Sequence, residues 1–319
     1  MHMGNELLTL PAAGALFAGA GAGIAFASAR ARKDLDERRA PLLGVLGAFV
    51  FAAQMVNFPV LPGTSGHFLG AALLAILLGP HAAALGMAAI VIVQCLVFQD
   101  GGLLALGANL LNMALAAPYA AWAAFRALAP AAGEPGRGRF YAAAFAASMA
   151  SVLAGAVLVP LEVAAAGVAR IPLPFFLGTV AGVHAVIGAA EGAITFAVMA
   201  SLARMRPDLL PGARPAPGRL SLTPVLLSVL AAAILVAGFL SLAASDRPDG
   251  LEATLEKTNA VERAPADPAG ERIALLPDYS RPGGGWYWTT VSGILGCLLV
   301  LGLIAAARRA VTARKQDPS

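Results

Sequence analysis

Residues 7–29 read LLTLPAAGALFAGAGAGIAFASA, an uncharged run followed at once by Arg30, Arg32 and Lys33. At 1.5 Å per residue, a helix of this length covers the roughly 30 Å hydrocarbon core of a bilayer. No basic residue precedes the run and its cations follow it, the reverse of the order in a secretory signal. The chain is therefore expected to keep its own first residue. The same alternation of apolar run and short charged cluster recurs to the C-terminus, with candidate spans at 7–29, 42–57, 67–79, 82–98, 103–125, 140–166, 173–203, 223–244 and 286–306. The third is too short to cross a bilayer comfortably and is expected to be broken, tilted or re-entrant.

Composition agrees. Of the 319 residues, 59% are apolar and 13% are charged, against about a quarter charged in soluble domains. Abundant Ala, Gly and Leu suit closely packed membrane helices, because small residues let backbones approach. Cys95 and Cys297 lie inside apolar runs and read as small buried hydrophobes rather than a disulfide framework.

Orientation follows from the cations. Arg30, Arg32, Lys33, Arg38 and Arg39 follow span one; Arg126, Arg137 and Arg139 separate spans five and six; Arg204, Arg206, Arg214 and Arg219 separate seven and eight; Arg308, Arg309, Arg314 and Lys315 follow nine. With the N-terminus outside, all of these lie on the cytoplasmic side, as the positive-inside rule asks. Only Arg170, Arg247, Lys257, Arg263, Arg272 and Arg281 of the 22 Lys and Arg fall outside. The net charge of +4 is thus a topological signal and not a nucleic-acid footprint. Residues 245–285 form one polar extracytoplasmic segment, folded or flexible. No internal repeat stands out.

The chemistry-bearing residues are few. The four histidines are His2, His67, His81 and His184. His2 adjoins the amino terminus, where a free amine, a backbone amide nitrogen and an imidazole can close fused five- and six-membered chelate rings around a divalent metal. A fourth nitrogen would complete a square plane, a geometry suited to Ni(II) or Cu(II). His67 ends the loop from Asn57 to Gly66 and shares the extracytoplasmic face with His2, so it is the candidate fourth donor. Taken singly, His2 could equally be a disordered terminal residue and His67 a helix-start histidine bonded to backbone. His81, after Gly79-Pro80, reads as a turn residue. His184 and Glu191 lie seven residues apart, on one helical face in mid-span. An intramembrane carboxylate marks a functional site by default, although a buried polar pair joining span seven to its neighbours accounts for both residues more simply. No G-x-x-x-x-G-K-[ST] phosphate loop, H-E-x-x-H, cysteine cluster or G-x-S-x-G is present, so any ATP-driven step needs a separate ATPase and intramembrane hydrolysis has no visible machinery.

Several stretches resemble a known family in order along the chain. They are Met1-His2-Met3-Gly4; Asn57-Phe58-Pro59 through Gly63-Thr64-Ser65-Gly66-His67-Phe68-Leu69-Gly70; Leu77-Leu78-Gly79-Pro80; Gln94; Phe98 with Asp100-Gly101-Gly102; Gly107-Ala108-Asn109 with Asn112-Met113; and His184 with Glu191-Gly192. Together they are similar to the CbiM/NikM substrate-specific components of cobalt and nickel energy-coupling factor transporters. Pro248-Asp249-Gly250-Leu251-Glu252 and Pro277-Asp278-Tyr279 resemble the small NikN/PDGLE-type auxiliary subunit, so the whole looks like a fusion of the two.

The resemblance implies an all-α integral membrane protein with about seven helices in residues 1–205, a cytoplasmic linker at 206–222, and a two-helix module at 223–319 that includes the extracytoplasmic segment 245–285. It also implies metal ligands from the Met1 amine, the His2 amide and imidazole, and the His67 imidazole. Asn57, Thr64, Ser65, His184 and Glu191 are candidate supporting residues. The implied partners are a transmembrane coupling protein and cytoplasmic ATPases, in the bacterial plasma membrane, with the N-terminus outside and the C-terminus inside. The expected protein is a transporter subunit, not an enzyme. Its cargo is Ni2+, with Co2+ as the alternative, including cobalt uptake for cobalamin synthesis. A non-transporting metal sensor or adaptor is the rival from another class. A residue as large as His2 would protect Met1 from methionine aminopeptidase, preserving the amine.

Overall fold

The computed structural model describes residues 2–34, 39–130, 137–211, 221–258, 268–281 and 283–313. Met1 lies outside the described residues, so its expected role as a ligand has no geometry here. The chain is mostly helical: α1 (Leu10–Asp34), α2 (Arg39–Gln54), α3 (Ala71–Leu78), α4 (Pro80–Phe98), α5 (Leu106–Asn109), α6 (Ala117–Leu128), α7 (Arg137–Ala166), α8 (Leu173–Met205), α9 (Thr223–Gly238), α10 (Gly250–Thr258), α11 (Pro268–Ile273) and α12 (Tyr287–Ala313). Among the described residues, six helical stretches are long and apolar enough to cross a membrane: those of α1, α4, α7, α8, α9 (continued to Ala243) and α12. α2 is a shorter apolar helix.

α4 is the centre of the bundle, with 72% of its apolar window buried, and α1 is the most peripheral, with 17% buried. Around α4 stand α1, α2, α3, α6 and α12, while α7 packs between α6 and α8. Small residues set the closest approaches. A Cβ on Gly107 would lie 2.5 Å from the backbone nitrogen of Phe17 and 2.7 Å from its Cα, so α1 and α5 touch backbone to backbone.

The span read as too short to cross is an eight-residue helix, α3, about 12 Å long. Left-handed glycines bracket it. Gly70 (φ +76°) precedes it, and Gly79 (φ +85°) turns the chain into α4, whose first position holds Pro80 with its preset φ and no amide hydrogen to satisfy. α3 is thus a short, broken piece of helix, entirely buried apart from Leu77. The preceding segment, read from sequence as a loop, is an antiparallel hairpin of β1 (Phe58–Leu61) and β2 (Thr64–Gly66) turning at Gly63 (φ +74°). Between α5 and α6 the helix widens into a π-helical stretch, Leu110–Ala116, a distortion common near functional sites.

The C-terminal pair, α9 and α12, packs on α2. The Gly44 and Gly47 face of α2 receives Leu301, Val300 and Ile304, Gly296 accepts the ring of Phe51, and Cys297 Sγ–H donates to the Ala48 carbonyl at 3.4 Å. Both cysteines are buried and neither is in a disulfide.

Gly107→Val should force α1 away from α5 and lower stability by about 1–3 kcal/mol, the usual cost of overpacking. Thermal unfolding in detergent measures it, with Gly14→Ala, where a Cβ meets nothing within 4 Å, as the neutral control.

Candidate metal centre

The N-terminal segment is threaded into the bundle. Met3 and Leu7 are fully buried, and Asn109 grips Met3 from both sides: Met3 N–H donates to Asn109 Oδ1 at 2.8 Å, and Asn109 Nδ2 donates to the Met3 carbonyl at 3.2 Å. Gly102 N–H donates to the same carbonyl at 2.9 Å, and Asn5 Oδ1 accepts from Leu104 N–H at 2.7 Å. Gly101 and Gly102 make room for this. A Cβ at Gly102 would collide with Asn5, and one at Gly101 would stand 2.8 Å from Asn109 Nδ2 and 3.3 Å from the Cβ of His2.

His2 and His67 are brought together as the sequence suggests. Their rings stack with centroids 5.5 Å apart and an interplanar angle of 24°. A ring centroid sits about 3 Å from a metal held at about 2 Å by its nitrogen, so the centroid separation lies within the span of two imidazoles that share one ion. Among the described residues, no group of three His, Cys, Asp or Glu side chains could hold a metal.

His67 is positioned from below. Its Nδ1 donates to the Phe68 carbonyl at 3.2 Å, which leaves the lone pair on Nε2, because a carbonyl only accepts. Burial pushes this imidazole down from 6.5 to about 3. Glu191, fully buried on α8, accepts the backbone N–H groups of Leu69 at 2.7 Å and Gly70 at 3.2 Å. It therefore holds the loop behind His67, where the sequence reading had it joining helices. Each such N–H left without an acceptor would cost about 1–3 kcal/mol. His184 donates from Nδ1 to the Val180 carbonyl at 2.8 Å. His81 meets the Tyr119 hydroxyl at 2.7 Å, away from the site.

The C-terminal segment covers the site, which the sequence did not reveal. Ser65 N–H donates to the Pro248 carbonyl at 2.8 Å and Ser65 Oγ to the Arg247 carbonyl at 2.7 Å. Ser245 N–H donates to the Asn57 carbonyl at 2.8 Å, and Leu276 N–H to the Val97 carbonyl at 3.0 Å. Thr64 is buried in β2. Asp249 and Glu252 form a reciprocal cap on α10: Asp249 Oδ1 accepts from Leu251 and Glu252 N–H at 2.7 and 2.9 Å, and Glu252 Oε2 accepts from Asp249 N–H at 3.0 Å. The cap seats Gly250 against Val183 and His184, where a Cβ would lie 2.7 and 3.1 Å from their nearest atoms. Asp249 and Gly250 line a small cavity with His67 and His184. Tyr279, stacked on Phe98 with centroids 4.7 Å apart, donates its hydroxyl to Asp100 Oδ2, and Asp100 Oδ1 stands 3.1 Å from His2 Nδ1. Burial and the neighbouring Asp100 raise the Tyr279 phenol well above its ordinary value, so it remains a donor. A cavity of about 960 Å³ opens above the two histidines, lined by Glu6, Asp100, Asp246, Asp249, Glu252 and Asp278 among others.

Residues 2–209 match the family model described as the cobalt uptake substrate-specific transmembrane region, CbiM. The chain belongs to the CbiM family. Residues 223–313 match the PDGLE domain, so the protein joins a CbiM region to a PDGLE region. It is 36% identical over 315 residues, covering 98% of this chain and 100% of the relative, to a protein of Archaeoglobus fulgidus named as a fused nickel transport protein, NikMN. It is 32% identical to the cobalt transport protein CbiM of Geobacter sulfurreducens, over 84% of this chain and 80% of that protein. A crystal structure of a truncated transition metal transporter superimposes with a TM-score of 0.54 at 29% identity, over 64% of this chain and 99% of that one. Within the family region the sequence reading had named both imidazoles. The supporting residues Asn109 and Asp100 stood in its motifs without a role, because their partners, the Met3 backbone for the one and the His2 ring and Tyr279 hydroxyl for the other, lie far away in the chain.

The depressed value of His67 has a consequence for acid stability. Unfolded, the ring titrates near 6.5; folded, near 3. The unfolded state therefore binds the extra proton between these values, and stability falls as pH drops through the interval. The metal-free protein should lose thermal stability from pH 6.5 towards 3, and His67→Gln should show a shallower loss over the same range.

Proposed function

We propose that the chain is the substrate-binding membrane subunit of an energy-coupling factor transporter that imports nickel. The observation that carries this reading is the inward-threaded N-terminus, which sets His2 beside His67 at 5.5 Å with no third side-chain ligand converging among the described residues. Main-chain nitrogens would complete such a site. The first two residues can supply them: the Met1 amine, the His2 amide and the His2 imidazole form the fused chelate, and His67 closes the square. Four nitrogens in a plane suit Ni(II). The fused PDGLE region, shared with the relative named as a nickel transport protein, points the same way.

Residues 1–205 are the metal-binding module, 206–222 a cytoplasmic linker, and 223–319 an auxiliary module whose segment 245–285 is extracytoplasmic. The sorting of Arg and Lys supports an N-terminus outside and a C-terminus inside the plasma membrane. With no phosphate loop in the sequence, the energy comes from cytoplasmic ATPases acting through a transmembrane coupling protein. Cobalt is the second reading, favoured by the family description and by the relative named as a cobalt transport protein.

Purified protein beginning at Met1 should bind nickel, and more weakly cobalt, while protein extended by one N-terminal Ala should bind neither at the same concentrations. The extension moves His2 out of the chelate ring. In cells supplied with the coupling protein and ATPases, nickel uptake should vanish in His2→Ala. Equal binding by native and extended protein would overturn the amino-terminal chelate; metal binding without any uptake would favour a sensor.

A further inference from the structure

The stretch between α9 and α12 is polar in sequence, yet it carries large apolar side chains that the described residues leave uncovered. Leu275 is 72% exposed and Ile273 50% exposed. Their neighbour Leu276 turns the other way: it is buried, and its N–H donates to the Val97 carbonyl at 3.0 Å. Three residues on, Tyr279 N–H donates to the Leu276 carbonyl at 3.1 Å, and the Tyr279 ring stacks on Phe98. The stretch therefore has an inner side pinned to the end of α4 and an outer side on which Ile273 and Leu275 stand.

The helices it touches fix the height of that outer side. Val97 is the last residue but one of α4, a helix of membrane-spanning length that ends at Phe98. Residues Pro277–Tyr279 touch both this end of α4 and the start of α12 at Tyr287. The end of α9 lies at the same level, since Thr290 Oγ1 donates to the Gly238 carbonyl at 2.8 Å. Trp286 and Tyr287 are exposed here, and Trp and Tyr concentrate where acyl chains meet headgroups. Leu275 is thus one residue from a main-chain contact with the end of a spanning helix, at the bilayer boundary and not out in water.

We propose that residues 272–281 are an interfacial anchor whose partner is the phospholipid surface. Ile273 and Leu275 enter the acyl boundary of the adjoining leaflet, where burying them is favourable. Exposed Arg272 and Arg281, the latter with its guanidinium 5.6 Å from the centroid of the Trp288 ring, meet headgroup phosphates while their stems lie along apolar surface. Lipid and not a protein is the occupant because the patch continues the exposed apolar surface of two spanning helices, represented by Phe239 and Leu240 at the end of α9 and Leu298 on α12. The consequence reaches the metal centre. The same stretch carries Tyr279, whose hydroxyl donates to Asp100, so the bilayer holds part of the cover over the two histidines. The anchor does not depend on which metal is carried.

The test uses the full chain reconstituted into vesicles of phosphatidylcholine and phosphatidylglycerol. A spin label is placed on Leu275→Cys or, as the aqueous control, on Asp246→Cys, a position that lines the large cavity. Cys95 and Cys297 are buried, and protein without an added cysteine is the labelling blank. The label at 275 should be relaxed more strongly by oxygen, which partitions into acyl chains, than by water-soluble chromium oxalate; the label at 246 should show the reverse. A label at 275 relaxed chiefly by chromium oxalate would overturn the proposal. One shielded from both reagents would overturn it in favour of a protein neighbour on this face. Hydrogen exchange gives a second reading without any label. Ile273→Ser combined with Leu275→Ser should speed exchange at the Leu276 and Tyr279 amides by about tenfold or more in the vesicles, because two large aliphatic side chains lose their burial. Unchanged exchange within α4 shows that the bundle is intact, and unchanged exchange at Leu276 and Tyr279 would likewise overturn the anchor.

Discussion

Asn109 holds the main chain of Met3 by both its N–H and its carbonyl, and the geometry of the site follows from that clasp. A chain terminus ordinarily frays, since nothing compensates the entropy of ordering it. Here the two hydrogen bonds, a third from Gly102, and the burial of Met3 and Leu7 draw the terminus inward. His2 is thereby delivered to His67. The π-helical stretch beginning at Leu110 directly follows Asn109, and Gly101-Gly102 removes the side chains that would block the approach. A side-chain cage could sit anywhere on a scaffold, whereas a chelate made of a chain terminus requires the terminus itself to become part of the core.

The surroundings show how a bilayer protein accommodates polar groups at this depth. Irregular backbone within the bundle is tolerated where other protein groups satisfy it. The hairpin before His67 bonds to Arg247 and Pro248 through Ser65, and the peptide after it bonds to Glu191. Gln54 and Gln94 satisfy each other and the two segments between them. The C-terminal pair of helices is not a separate appendage: the segment between them supplies the carbonyls that complete the hairpin, the hydroxyl that occupies Asp100, and the Gly250 turn that closes over His184. Carboxylates from both regions line the cavity beside the two histidines, which favours a cation there.

Much of this was legible in the sequence. The order of apolar runs and cationic clusters yields the helices, and the brevity of residues 67–79 announced the short α3. His2 and His67 were recognisable because only those two histidines combine chelate chemistry with a shared face. Glu191 was recognisable as costly and therefore purposeful, but its partners were not, since it bonds backbone N–H groups more than a hundred residues away. The hairpin escaped for a related reason. Pro59 and Pro62 disguise the strands, and β2 is stabilised by a segment some 180 residues later. No local periodicity encodes a contact of that kind. The covering role of the PDGLE region escaped because a polar segment reads equally well as a linker.

The central claim is that the ion is held by four nitrogens, two of them from the main chain. X-ray absorption at the nickel edge of the metal-loaded full chain tests it most directly. A square-planar spectrum with four nitrogen neighbours and outer-shell scattering from two imidazoles is the expected result. A six-coordinate spectrum dominated by oxygen would contradict it and move the site to the carboxylates of the covering segment.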